Sequence, residues 1–370
     1  MESETTQREP VAGARRALIA FGGREGELFG IFIVNLILAI LTLGIYRFWA
    51  KTRVRSYLWA HAGFEGDRLE YTGTGKELIL GFLIIVIVVL VPLFTAVAIL
   101  RLALQASAPE FILVADLTQA GILIFLLPVA VYRARRYRLT RTQWRGVRAG
   151  QTGSALAYGL KSVLLYLLAA FTFGLAWPYC STRLTAHKLN NTWLGDRRVA
   201  FDGRARPLYR RFLAVYSVYV LAFLSIPVVA GGALQVSPDQ PMSDEVGAVL
   251  VLYALLLLLL IRIPWNWYRA AEYRYFASRA QLEGLRFDAD ISGGALASLH
   301  VGNTLITIVT FGLGLPLVYL RNMRFGAARL GISGEMDFAS VVQSAQARPR
   351  MGEGLAEAFD IGGAYDILGI

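Results

Sequence analysis

Residues that build metal centres and disulfides are scarce in this 370-residue sequence: one cysteine, Cys180, and three histidines, His61, His187 and His300. A single Cys excludes an internal disulfide, and three His so far apart give no zinc or haem spacing. Charge is scarce too. Asp, Glu, Lys and Arg make up 17% of residues, against about 25% in soluble domains. The acidic sign is the rarer, 26 residues against 37 basic, for a net charge of +11. A cleavable leader is not indicated either: Met1 to Gly13 is polar and opens with acidic residues, and Arg15 and Arg16 precede only Ala17–Phe21. Gly73-Thr74-Gly75-Lys76 lacks the remaining glycine spacing of a phosphate loop. Ser, His and Asp occur, but nothing draws them together, so the chain is read as a non-enzyme without a cofactor.

What is abundant is apolar: 56% of residues, against about 45–50% in soluble proteins. Seven apolar stretches stand out, near Leu28–Trp49, Leu78–Leu100, Phe111–Tyr132, Leu156–Tyr179, Phe212–Gly231, Val246–Trp267 and Leu296–Tyr319. Each reaches the roughly 20 residues that a helix needs to cross a hydrocarbon core. In that setting the positive charge reads as orientation in a membrane and contact with anionic lipid, not as nucleic-acid binding.

Internal similarity divides the chain. Leu41-Thr42-Leu43-Gly44-Ile45, Phe171-Thr172-Phe173-Gly174-Leu175 and Val309-Thr310-Phe311-Gly312-Leu313 match, and each Thr is followed eleven residues on by Arg53, Arg183 or Arg321. Asn35 and Asn303 precede their Thr by seven residues, whereas the middle copy has Leu165 there. We term this unit A. A second unit, B, is marked by Pro128–Arg138 (PVAVYRARRYR) aligned with Pro264–Arg274 (PWNWYRAAEYR). The order A, B, A, B, A assigns residues 18–72, 73–148, 149–202, 203–288 and 289–338. A polar tail (1–17) precedes them and an acidic amphipathic tail (339–370) follows.

Short strand-like pieces flank the units: Ile19–Phe21, Leu69–Tyr71, Val147, Val199–Phe201, Leu285–Phe287 and Met336–Phe338. Isolated strands of this length are unstable, so they are expected to pair. The fold class is a mainly α, polytopic membrane protein with pseudo-repeats and a small cytoplasmic β-sheet.

Seven crossings would spread basic loops over both sides of the membrane, against the positive-inside bias. If unit A enters and returns while unit B crosses as a hairpin, every basic segment and both termini fall on the cytoplasmic side. The base-poor loops Arg101–Glu110 and Gly232–Glu245 then fall on the other side. Gly44, Gly174 and Gly312 lie inside the apolar runs, with Pro178 and Pro316 beyond two of them, and both residue types weaken a helix. Both topologies are carried forward.

Gly26–Leu83 (GELFGIFIVNLILAILTLGIYRFWAKTRVRSYLWAHAGFEGDRLEYTGTGKELILGFL) resembles the YjgN-like family of bacterial inner-membrane proteins, and the resemblance covers almost the whole chain. It implies an inner-membrane location, and no substrate, cofactor or activity. The middle copy departs from the pattern in lacking the Asn and in having Trp177-Pro178 where the first has Arg47-Phe48.

Candidate positions inside the membrane are Asn35, Thr42, Gly44, Thr172, Gly174, Asn303, Thr310 and Gly312. They would join helices or line a solute path at the breaks. Candidate headgroup contacts are Lys51, Arg53, Arg55, Arg133, Arg136, Arg183, Arg269 and Arg321, interleaved with aromatics as in an interfacial belt. Two functions fit: a passive transporter or channel, or a non-transporting scaffold that organises anionic lipid. The sequence names no protein partner.

Overall fold

Every apolar helix pair starts within five residues of a β-strand, and those strands bond into one ring. The computed structural model describes residues 15–234 and 244–343. Strands β1 (Arg16–Ala17) and β2 (Ala20–Phe21) lead into helices α1 (Glu25–Leu41) and α2 (Arg47–Ala60), then strands β3 (Ala62–Phe64) and β4 (Asp67–Tyr71). The helix that follows begins as α3 (Gly75–Ile85), passes through a wide π-turn at Val86–Leu90, and continues as α4 (Val91–Ser107). Helix α5 (Ile112–Arg141) returns to β5 (Thr142–Trp144) and β6 (Val147–Gln151).

The next helices are α6 (Ala155–Phe171) and α7 (Trp177–Leu189), with strands β7 (Thr192–Leu194) and β8 (Arg197–Phe201). Then come α8 (Arg206–Leu234) and α9 (Asp244–Ser278), with β9 (Ala280–Leu282) and β10 (Leu285–Ala289). Helices α10 (Gly293–Val309) and α11 (Leu315–Arg329) and strand β11 (Leu330–Ser333) complete the circuit.

Local chemistry sets the helix starts. Thr74, Ser154 and Ser292 are N-caps whose hydroxyls accept from the N–H groups of Glu77, Ala157 and Ala295. The π-turn also has a local cause. Pro92 would press its ring on the carbonyl four residues back, and the wider turn over Val86–Leu90 relieves that clash.

The sheet is larger than the small one expected. Its eleven antiparallel strands run β1-β11-β10-β9-β8-β7-β6-β5-β4-β3-β2. The two end strands are neighbours in the chain, so the sheet closes into a barrel-like ring. Leu18 N–H donates to Leu330 O and Gly22 N–H to His61 O, both at 3.0 Å, on either side of the closure. Closure removes the open edges that short strands would otherwise present.

The extra strands come from hairpins whose two-residue turns have positive φ: Glu65 and Gly66 (47°, 84°), Arg145 and Gly146 (49°, 75°), Glu283 and Gly284 (45°, 86°). Such turns match the twist of the paired strands. One expected strand is corrected: Met336–Phe338 is not extended pairing, and the strand there is β11, ended by Gly334 at φ 95°.

Residues after Gly334 cross the base of the ring as a strap. Phe338 packs edge-on against Phe64 and Trp144, from two adjacent hairpins, at ring-centroid distances of 5.5 and 5.4 Å. Val341 is buried, Val342 N–H donates to Asp196 Oδ1 at 3.2 Å, and Arg148 N–H donates to Gln343 Oε1 at 2.9 Å. The amphipathic tail expected over 339–370 lies, beyond Gln343, outside the described residues.

The core sits between ring and helix bases. Leu28, Leu58, Leu320 and Met323 unite α1, α2 and α11, while Phe212, Tyr268 and Phe276 unite α8 and α9. Each such buried side chain contributes about 1.5–3 kcal/mol. Further from the ring the helices expose apolar surface throughout, and four helices among the described residues are long and apolar enough to cross a membrane. They are Gly75–Gln105, Pro109–Arg141, Arg206–Val229 and Gly247–Ser278.

Candidate functional site: hairpin turns and basic collar

Helices α1, α6 and α10 each run 17 residues and then reverse. The reversals are alike. Leu43 and Gly44 have φ of 49° and 87°, Phe173 and Gly174 50° and 90°, Phe311 and Gly312 49° and 84°. The left-handed glycine lets its N–H reach back five residues, to Ala39 O (2.7 Å), Ala169 O (2.6 Å) and Thr307 O (2.8 Å).

Thr42, Thr172 and Thr310 lock these turns. Their hydroxyls donate to Leu38 O (2.7 Å), Leu168 O (2.8 Å) and Ile306 O (2.6 Å). Each also accepts an N–H four residues on, from Tyr46 (2.9 Å), Ala176 (3.0 Å) and Gly314 (2.8 Å). The turn therefore satisfies its own polar groups, the condition for irregular backbone away from water. The residues between are apolar and bare: Leu43 is 95% exposed, Phe173 86% and Phe311 95%.

Asn35 and Asn303 lie between the helices of their hairpins, as their depth in the sequence suggests. Asn35 Nδ2 donates to Ala50 O across α1 and α2 at 3.4 Å. Asn303 is fully buried; its Nδ2 donates to Asn322 Oδ1 at 2.7 Å and its Oδ1 accepts from Arg321 Nε at 3.0 Å. Beside this pair, Asn266 Oδ1 of α9 lies 2.7 Å from His300 Nδ1 of α10.

The eight basic candidates divide by environment. Arg53, Arg133 and Arg183 are exposed, Arg53 donating to Tyr46 Oη at 2.9 Å and Arg183 lying 5.2 Å over the Tyr179 ring. Lys51 is half-buried. Arg55 is buried and donates to Tyr71 Oη at 3.1 Å; Arg136 bonds Gly153 O; Arg269 pairs with the fully buried Glu272; Arg321 serves Asn303. Each of these last four is engaged by a group of the protein, although Arg136 and Arg269 are half-buried and Arg321 is exposed.

A family model described as bacterial protein of unknown function (DUF898) matches residues 16–358. The chain belongs to this family. Among similar proteins, inner membrane protein YjgN of Salmonella typhimurium is 27% identical over 132 residues, 36% of this chain and 30% of that protein. YjgN of Escherichia coli O157:H7 is 30% identical over 164 residues, 44% of this chain and 38% of that protein. The chain thus spans about a third of the length of the curated relatives it matches. No solved structure matches it significantly.

In this DUF898 chain, the sequence reading missed buried charges that join helix bases to strands. Arg135 donates to Gln151 Oε1 (2.9 Å) and Thr192 Oγ1 (2.8 Å). Glu77 accepts two bonds from Arg141, at 3.0 and 2.9 Å, and one from the Tyr137 hydroxyl. The B alignment also shifts by two. It set Arg138 against Arg274, but Arg274 bonds Ile291 O as Arg136 bonds Gly153 O, each 17 residues ahead and just before a serine N-cap. A spacing shared by α2 and α9 was also readable: Trp49 stands 26 residues before Gly75, as Trp267 does before Gly293. Each indole lies where a Cβ on that glycine would project.

Proposed function

We propose that the protein is a non-transporting, lipid-organising component of the inner membrane, with its ring, basic segments and both chain ends on the cytoplasmic side. The three short hairpins occupy one leaflet in this reading, and the long pairs cross both.

Helix length supports it. At about 1.5 Å per residue a 17-residue helix rises about 25 Å, whereas the long helices of 31 and 33 residues rise about 46–50 Å. All pairs leave the same ring, so the short hairpins stop roughly 20 Å below the far loops of the long ones, within a core about 30 Å thick. The protein is then wider in the near leaflet than in the far one. The excess of Lys and Arg near the ring supports the cytoplasmic side for it.

The observation that carries the reading is the hairpin tip. The Thr hydroxyls are fully engaged within their own turns, while Leu43, Phe173 and Phe311 are almost wholly exposed. Such a tip suits hydrocarbon and offers a solute no polar group. The test places Trp at Leu43 or Phe173 and measures quenching by lipids brominated at different depths, in vesicles containing phosphatidylglycerol. Maximal quenching near the bilayer centre supports the reading; quenching near either headgroup layer removes it.

Passive transport is the second reading, favoured by the buried Asn266 and Asn303 with the half-buried His300 and Asn322 bonded to them. It predicts solute flux in proteoliposomes that falls with Asn303→Ala.

A further inference from the structure

Two clefts at the base of different helix pairs share one architecture and hold arginine drawn from opposite helices. The first, 610 Å³, lies between α1 and α2 and is lined by Gly30, Ile31, Val34, Arg53 and Tyr57. The second, 680 Å³, lies between α8 and α9 and is lined by Arg210, Arg211, Ala214, Ala271 and Tyr275.

The same tyrosine contact frames both. The N–H of Arg24 donates to Tyr57 Oη at 2.8 Å, and the N–H of Arg204 donates to Tyr275 Oη at 2.9 Å. Arg24 is the N-cap of α1 and Arg204 lies two residues before α8, so in each case the ring-side tyrosine of the returning helix fixes the start of the outgoing one. Gly30 and Arg210 stand at matching heights, five and four residues into their helices. Opposite them stand Arg53 and Ala271, each four residues before its tyrosine. Where one cleft has glycine facing arginine, the other has arginine facing alanine. The positive charge has moved across the cleft and stayed at the same depth.

That depth is the membrane surface in the proposed reading. Both clefts lie within two turns of the ring, and the exposed large apolar residues of α1 and α8 begin there, with Phe29 and Leu213. Arg210 and Arg211 are exposed and have no hydrogen-bond or ion-pair partner among the described residues. Arg53 spends one N–H on Tyr46 and is otherwise exposed. A guanidinium beside apolar helix surface matches a phosphodiester whose acyl chains lie along the helices: the head is met by charge-assisted hydrogen bonds, the tails by hydrocarbon.

We propose that each cleft binds the phosphate of one anionic phospholipid of the near leaflet, through Arg53 in the first and Arg210 with Arg211 in the second. This rests on the lipid-organising reading.

The experiment is native mass spectrometry of the full chain released from nanodiscs of mixed phosphatidylglycerol and phosphatidylcholine. Wild type is expected to retain two phosphatidylglycerol molecules. Arg53→Gln, and Arg210→Gln with Arg211→Gln, are each expected to lose one, and the triple variant both, with Arg198→Gln, exposed on ring strand β8, as unchanged control. A photoreactive phosphatidylglycerol on wild type is expected to label peptides around Arg53–Tyr57 and Arg210–Ala214, a readout independent of variant folding. Wild-type stoichiometry in the triple variant, or labelling elsewhere, overturns the cleft assignment alone. Wild type without preference for phosphatidylglycerol overturns the lipid-organising reading with it.

Discussion

Cys180 donates its thiol to the carbonyl oxygen of Leu165 at 3.1 Å, joining the two positions that in the first hairpin are Ala50 and Asn35. In the first hairpin the donor is on the outgoing helix; in the middle one it is on the returning helix. The middle copy lost its Asn and kept a cross-hairpin bond.

This arrangement predicts unequal costs for removing the asparagines. Asn303→Ala strands the partners of a fully buried amide, at about 1–3 kcal/mol. Asn35→Ala removes one long bond from an amide whose Oδ1 has no partner among the described residues, so its cost is smaller. Thermal unfolding in detergent should rank the midpoints as wild type, Asn35→Ala, Asn303→Ala in descending order.

Each hairpin turn depends on its left-handed glycine. At Gly312, φ is 84° and the surrounding space is open, so Gly312→Ala meets no clash and pays only backbone strain, about 1–2 kcal/mol. Thr310→Val removes both hydroxyl bonds, whereas Thr310→Ser keeps them. A lower unfolding midpoint for Val than for Ser checks the locking role.

The pair Glu77 and Arg141 predicts non-additivity. The Arg141 side chain is 6% exposed, and losing its carboxylate leaves a nearly buried charge short of a partner. Glu77→Ala is expected to cost about 2–3 kcal/mol, and the double variant with Arg141→Met less than the two single losses added. A double-mutant cycle by chemical denaturation measures this.

His187 predicts a pH dependence. Its ring packs against Tyr132 and Tyr158, with centroids 5.7 and 5.4 Å away, and its Nε2 is buried without a hydrogen-bond partner among the described residues. Burial first, and then the nearby Lys161, push its pKa below the usual 6.5. Folding therefore favours the neutral ring and the unfolded chain binds the proton more readily. The resulting stability is present above about pH 6.5 and is lost as pH falls below it. His187→Phe should flatten that part of the stability profile between pH 7 and 5.

The strap predicts a ring held from below. Phe338→Ala forfeits two edge-on aromatic contacts at about 0.5–1.5 kcal/mol each. Faster amide exchange in the hairpins Ala62–Tyr71 and Thr142–Gln151 is the expected result.

Local sequence determined more of the helices than of the sheet. Apolar runs marked where helices lie, although all seven reach about 20 residues and their length did not separate long pairs from short hairpins. The Thr-x-Gly triplet with its downstream arginine marked each reversal, because chain reversal depends on neighbours a few residues apart. The same locality kept Asn35 and Asn303 within reach of their partner helices. Ring closure was beyond such reading. Strands of two to five residues carry almost no periodic signal; they are stable only as neighbours of one another, and β1 and β11 meet across more than 300 residues of chain.

The two arginine clefts were hidden for the same reason. Arg53 looks like one basic residue among many until packing sets it opposite Gly30, and Arg210 and Arg211 until it sets them beside Ala271 and Tyr275. Identical residue types went to different fates: Arg55 into a buried bond with Tyr71, Arg53 to the surface two positions away. On a helix, adjacent positions point about 100° apart. Which direction is interior depends on what the rest of the chain places there, and that was decided only by the tertiary structure.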